Sequence, residues 1–166
     1  MEPHNYQDTL TGISNRRFFV ENLDCRRQRC VENGDNCAIL FVDVENLKAV
    51  NTAHGRTVGD ALLMRVAKIL KQHIREADVA ARIGGDEFGL LLEHLNGDQV
   101  EDKIAFLLAQ LHGEHIFHAS EKIPLGASID YCCMGPQDTT DGLTSRAEFT
   151  SYRSKDRPAL PPELSL

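Results

Sequence analysis

Asp78-Val-Ala-Ala-Arg-Ile83, Gly84-Gly85-Asp86-Glu87 and Phe88-Gly-Leu-Leu-Leu-Glu93 follow one another without a break. The first and third are short apolar runs of strand length. The second is a double glycine followed by two acids. Glycine tolerates positive φ and lets backbone approach closely, so this spacing predicts a β-hairpin with a carboxylate-bearing tip. A hairpin inside the chain excludes an all-parallel, doubly wound sheet, because neighbouring parallel strands need a crossover.

Working outward, Cys37-Ala-Ile-Leu-Phe-Val-Asp43 is a continuous apolar run that ends on an acid. It reads as a buried strand with Asp43 at its C-terminal end. Upstream, apolar residues recur at helical spacing over 16–32, with Asn15 as N-cap and Asn33-Gly34-Asp35-Asn36 as the stop. Downstream come a short helix over 45–53, a glycine-flanked loop from His54-Gly55 to Gly59-Asp60, and an amphipathic helix over 58–75. Its stripe is Val58, Leu62, Val66, Ile69, Leu70, His73 and Ile74. Further helices are expected over 98–112 and 141–155, with a strand over 123–133 between them. The order α-β-α-α-β-β-α-β-α predicts an α/β (α+β) fold of ferredoxin-like type, a mostly antiparallel central sheet flanked by helices. Residues 1–7 read as an N-terminal arm, 8–156 as one domain, and 157–166, with Pro158, Pro161 and Pro162, as a linker or tail.

The chain's 166 residues are enough for one domain with a real core. Net charge is −7, which argues against a protein that coats nucleic acid through bulk positive charge. A small anion held by a few local cations is still allowed. No apolar run is long enough to span a membrane and no leader pattern opens the chain, so a cytoplasmic protein is expected. The five cysteines, Cys25, Cys30, Cys37, Cys132 and Cys133, are odd in number and lack a C-x-x-C pair. They are expected to be reduced thiols.

The chemistry-bearing residues are acids. If the 37–43 strand neighbours the hairpin, Asp43, Asp86 and Glu87 converge at one sheet edge. Like charges that close repel, and hard carboxylate oxygens select Mg²⁺ or Mn²⁺. Spacing alone leaves two readings, a cation site or a solvated turn whose acids face water. Neither a Walker loop nor a G-x-G-x-x-G is present, so the usual phosphate cradles are absent. His112, His115 and His118 recur three apart beside Gly113, but with no fourth ligand in helical register they are not read as a metal site.

Gly84-Gly85-Asp86-Glu87-Phe88 resembles the signature of the GGDEF domain of diguanylate cyclases. The surroundings are similar as well. Asp8-Thr-Leu-Thr-Gly12 with Asn15-Arg16-Arg17 looks like the family's opening, Asp43-Val-Glu-Asn-Leu-Lys48 with Asn51 like its metal and phosphate segment, and Gly55 with Gly59-Asp60 like its G-H-x-x-G-D. The resemblance runs from about residue 5 to about residue 156 and implies a nucleotidyl-cyclase-like fold. It implies that two GTP molecules, on two facing domains, are joined into cyclic di-GMP with loss of two pyrophosphates. Asp43, Asp86 and the Val44 carbonyl would ligate Mg²⁺ or Mn²⁺, assisted by Glu87. Asp86 would also help deprotonate the attacking hydroxyl. Lys48 would sit on the phosphates, Asn51 and Asp60 would read the guanine edge, Gly84 and Gly85 would admit the nucleotide, and Lys155 would touch the terminal phosphates. Arg75-Glu-Ala-Asp78 is an R-x-x-D pair at the spacing of the family's inhibitory product site.

The pattern also departs from the family's. Glu45, Leu47, Thr52 and Arg56 replace its usual Asp, Phe, Asp and His. Asp130 stands at a glycine position, and 146–158 follows the late motif only loosely. Two readings therefore stand. One is a Mg²⁺-dependent cyclase working as a homodimer, with an attached sensory or phosphodiesterase domain as its natural partner. The other is a degenerate module that binds GTP or cyclic di-GMP and regulates such a domain.

Overall fold

The computed structural model describes residues 3–95 and 97–134. After a short 3-10 helix (Pro3–Tyr6), the elements are β1 (Ser14–Asn15), α1 (Arg16–Asn33), β2 (Cys37–Val44), α2 (Leu47–His54), α3 (Arg56–Gln72), β3 (Val79–Arg82), β4 (Glu87–Glu93), α4 (Gly97–His112), β5 (His115–His118), β6 (Glu121–Pro124) and β7 (Ala127–Met134). Five strands form one sheet in the order β1-β3-β4-β2-β7. β5 and β6 make a separate hairpin. Among the described residues only the β1–β3 pair is parallel; the other strand pairings are antiparallel.

β2 is buried along its whole length, which explains its unbroken apolar run. Its side chains alternate between two cores. Ala38, Leu40, Val42 and Val44 pack with α3 and α4 through Leu62, Val66, Leu70, Leu107 and Leu111. Ile39 and Phe41 pack on the other face with Phe19, Leu23 and Cys30 of α1. Burial pushes the Cys37 thiol up to about 12, so this sulfur is an inert packing group. α1 starts as its sequence indicates, with the Asn15 side chain accepting from the Phe18 N–H at 3.0 Å. It ends at Gly34, whose φ of 70° suits a left-handed cap.

The sheet and its flanking helices match the expected class, with three corrections. The strand expected over 123–133 is divided between β6 and β7, and β5 precedes them as a hairpin partner. The turn joining β5 to β6 is Ala119-Ser120, with φ of 50° and 69°. Those residues lack the Asn-Gly chemistry that announces such a turn, so the hairpin leaves no mark in the sequence. β1 is only two residues long, too short for a period-2 pattern. α3 begins two residues earlier than expected and ends at Gln72. The helix expected over 141–155, Lys155 and the 157–166 tail lie outside the described residues; of the expected 1–7 arm, Pro3–Tyr6 form the 3-10 helix and Gln7 bridges Ser14.

Candidate functional site

The antiparallel register between β2 and β4 places Asp43 directly opposite Glu87. The signature turn then folds over the end of β2, where the Val44 N–H donates to the Asp86 carbonyl at 2.8 Å. Three carboxylates therefore meet: Asp43, Asp86 and Glu87 offer ligand atoms that all lie within 4.8 Å of one another. Asp43 is 6% exposed and the other two are half-buried. Clustered hard oxygens at this spacing suit a divalent cation such as Mg²⁺ or Mn²⁺. Strong mutual repulsion is what a bound cation would relieve.

The turn is held from behind. The Ile83 and Gly84 N–H groups both donate to the Glu87 carbonyl, at 2.9 and 3.2 Å. A Cβ on Gly84 would lie 3.3 Å from the Glu87 side chain, whereas Gly85 faces open space. Arg82 donates through Nη2 to the Gly85 carbonyl at 2.8 Å and through Nε to the Gly84 carbonyl at 3.2 Å. Its Nη1 reaches Asp8 Oδ1 at 3.4 Å. Asp8 in turn accepts from the Thr11 N–H at 2.9 Å and hydroxyl at 2.6 Å. Arg16 adds a bond from Nη1 to the Ile83 carbonyl at 3.4 Å. Arg82, Arg16 and Asp8 are thus positioning residues that the sequence did not assign. The signal was present, because Asp8 and Arg16 sit in the opening motifs, but a long-range clamp cannot be read from spacing.

α2 begins three residues past β2, after Asn46 turns the backbone at φ 64°. Lys48 lies exposed in its first turn and Asn51 one turn later. The Asn51 Oδ1 is buried with no hydrogen-bond partner. It rests against Gly59, where an added Cβ would stand 1.7 Å from that oxygen. Asp60, the next residue on α3, is half-buried. Gly59 is therefore needed for the Asn51 placement, a role that its motif position alone did not reveal.

Arg75 and Asp78 lie at the far end of the same hairpin. The six steps of β4 separate its two ends by roughly 20 Å. Asp78 is turned inward, its side chain 3% exposed, while Arg75 is 56% exposed. Asp78 Oδ2 accepts from the Arg75 backbone N–H at 3.0 Å and from its Nε at 3.3 Å. Asp78 Oδ1 accepts from the Glu93 N–H at 3.0 Å. Arg75 Nη2 also donates to the Glu93 carbonyl. The Glu93 carboxylate bridges buried Arg26 at 2.5 Å and exposed Arg29 at 2.6 Å. As arranged, Asp78 closes the turn and Arg75 is the member facing outward. The three histidines do not form one group. His112 ends α4, with Nε2 3.4 Å from the Ala127 N–H and carbonyl, and His115 and His118 lie on β5.

A family model described as diguanylate cyclase, GGDEF domain, matches residues 5–159. The probable diguanylate cyclase DgcE of Escherichia coli (strain K12) is 31% identical over 150 residues, covering 90% of this chain and 14% of that protein. MucR of Pseudomonas aeruginosa, a bifunctional diguanylate cyclase/cyclic di-GMP phosphodiesterase, is 31% identical over 151 residues, covering 90% and 22%. The chain thus spans a small part of the relatives it matches. In fold it is similar to the GGDEF domain of DgcB from Caulobacter crescentus, whose crystal structure contains c-di-GMP, with a TM-score of 0.85, 21% identity, and coverage of 95% of this chain and 94% of that one. Among the described residues no helix is long and apolar enough to cross a membrane. With a family match over nearly the whole length and the signature turn standing against the end of β2, the chain belongs to the diguanylate cyclase GGDEF-domain family.

Proposed function

We propose that this chain is the catalytic domain of a cytoplasmic diguanylate cyclase. Two GTP molecules, one on each of two facing copies, are condensed into cyclic di-GMP. Each 3′-hydroxyl oxygen bonds to the α-phosphorus of the other nucleotide, each pyrophosphate leaves, and two hydroxyl protons are released. The observation that carries this reading is the meeting of Asp43, Asp86 and Glu87 at the signature turn. These carboxylates, with the Val44 carbonyl as a further oxygen, would hold Mg²⁺ or Mn²⁺, which would neutralise phosphate charge and make the attacking hydroxyl more acidic. Asp86 accepts the hydroxyl proton. Lys48 places a cation against the phosphates and stabilises the charge that develops on them.

Asn51 and Asp60 discriminate the base. A carboxylate accepts from the guanine N1–H and N2–H₂ edge, a pairing adenine cannot return. Gly84 and Gly85 leave room for the nucleotide, and Lys155 is assigned to the terminal phosphates. Gly59→Ala would displace the Asn51 side chain without straining the helix. The expected result is a GTP dissociation constant raised roughly tenfold, about 1.4 kcal/mol, with the fold retained. Nucleotide titration followed by circular dichroism checks both halves.

Arg75 and Asp78 form a product-binding, inhibitory site, in which Arg75 reads the guanine O6/N7 edge and Asp78 holds its guanidinium. Arg75→Ala should raise the inhibition constant for cyclic di-GMP roughly tenfold. An unchanged constant would make the pair a purely structural clasp. An attached sensory or phosphodiesterase domain completes the natural protein, as the longer relatives suggest.

The deciding experiment supplies GTP and Mg²⁺ to several concentrations of the chain and separates the products chromatographically. A rate that rises faster than linearly with protein supports catalysis between two copies. Bound nucleotide with no product at any concentration points instead to a regulatory GGDEF module, the reading that the loose match of 146–158 to the family's late motif favours.

A further inference from the structure

The β5–β6 hairpin carries a group that the nucleotide site does not use. Ile116 and Ile123 are register partners on β5 and β6, and both pack toward the core beneath α3. Side chains two residues apart on a strand share a face. His118 and Glu121, also register partners, therefore lie on that same inward face, at the hairpin's tip. Directly across from them is His54, the last residue of α2. His54 Nε2 stands 3.4 Å from Glu121 Oε2. The His54 and His118 rings are 5.9 Å apart between centroids, at 74° to each other.

A tetrahedral Zn²⁺ with ligand bonds of about 2.0–2.1 Å holds neighbouring donor atoms roughly 3.4 Å apart. The His54–Glu121 pair already has that separation. The three donors do not yet all meet, since the Asp43 group alone among the described residues has three ligand atoms within 4.8 Å. His118 is exposed beside its register partner Glu121, and closing the site requires its ring to turn toward the other two donors. The turn between His118 and Glu121 supports the arrangement. Ala119 and Ser120 both adopt the left-handed region, which sets two partners face to face in a tight two-residue loop.

We propose that His54, His118 and Glu121 form a binding site for a divalent transition-metal ion of the Zn²⁺ class. Two imidazoles and one carboxylate suit Zn²⁺, Co²⁺ or Ni²⁺, and water completes the coordination. Mg²⁺ does not compete, because it takes oxygen ligands. The site is separate from the three-carboxylate cluster and does not depend on the proposed cyclase activity. Its place in the fold gives it a consequence. It ties the hairpin to the end of α2, the helix that carries Lys48 and Asn51, next to the Gly55 N–H that donates to the Asn51 carbonyl at 2.9 Å.

The test is calorimetric titration of the full chain with Zn²⁺ in a large excess of Mg²⁺, alongside His118→Ala and Glu121→Gln. Both altered side chains are exposed, and circular dichroism verifies that each variant folds. The expected result is one Zn²⁺ bound per chain at micromolar concentration, weakened roughly tenfold or more in each variant. Zn²⁺ should also raise the thermal midpoint of the parent chain, and that of His118→Ala by clearly less at the same concentration, because a folded-state site stabilises by mass action. Absence of binding in the parent chain overturns the proposal. So does equal binding in parent and variants, which would place the ion on cysteines or on the acidic cluster.

Discussion

Asp86→Ala is expected to lower cyclic di-GMP formation by roughly a thousandfold or more, a loss of about 4 kcal/mol of transition-state stabilisation, and to leave the fold intact. The two halves of this expectation have different physical sources. The carboxylate belongs to the cluster with Asp43 and Glu87, so in the proposed mechanism its removal takes away a cation ligand and the proton acceptor at once. The structural contribution of residue 86 comes from its backbone carbonyl, which accepts from the Val44 N–H. Alanine keeps that carbonyl. The turn also stays clamped by Arg82 through the Gly84 and Gly85 carbonyls. Product chromatography and thermal unfolding, run on the same preparation, separate the two. Undiminished product would remove Asp86 from the machinery. Lost product with an unfolded chain would show that the side chain is structural.

Phe88→Ala has the opposite profile. The last letter of the signature is 0% exposed and lies in the core shared by the sheet, α3 and α4. It pairs across the sheet with Val42 on one side and Arg82 on the other. Truncating a buried phenylalanine costs about 3–5 kcal/mol through lost burial and the cavity left behind. That is a large share of the roughly 5–15 kcal/mol that holds a domain together. A fall in the unfolding midpoint of roughly 10 °C is expected, read by calorimetry or circular dichroism. Where the variant is still folded, nucleotide affinity should change little, since Phe88 points away from the carboxylates. A midpoint within a degree or two of the parent's would show that the core closes over the gap.

The signature is therefore one string with two functions. Alternation along β4 explains the division. Successive side chains leave opposite faces of a strand, so Glu87 turns to the site while Phe88 enters the core. Both facts were legible, since the hairpin, the double glycine and the apolar run after it are local patterns. The Asn15 cap and the Gly34 stop of α1 were legible for the same reason. The β5–β6 hairpin was not, because Ala119-Ser120 lacks the Asn-Gly pattern that announces a turn with left-handed backbone.

Sequence by itself determined the family, the hairpin and the identity of the three acids, because each rests on residues close together in the chain or on motifs in a fixed order. Tertiary structure alone decided which groups meet. The β2–β4 register brought Asp43 opposite Glu87 across 44 residues of chain. The Arg82–Asp8 contact, the seat of Asn51 on Gly59 and the approach of His54 to the β5–β6 tip arose in the same way. Register and packing are set by burial of the two cores on either side of β2, a property of the whole sheet that no local stretch of sequence contains.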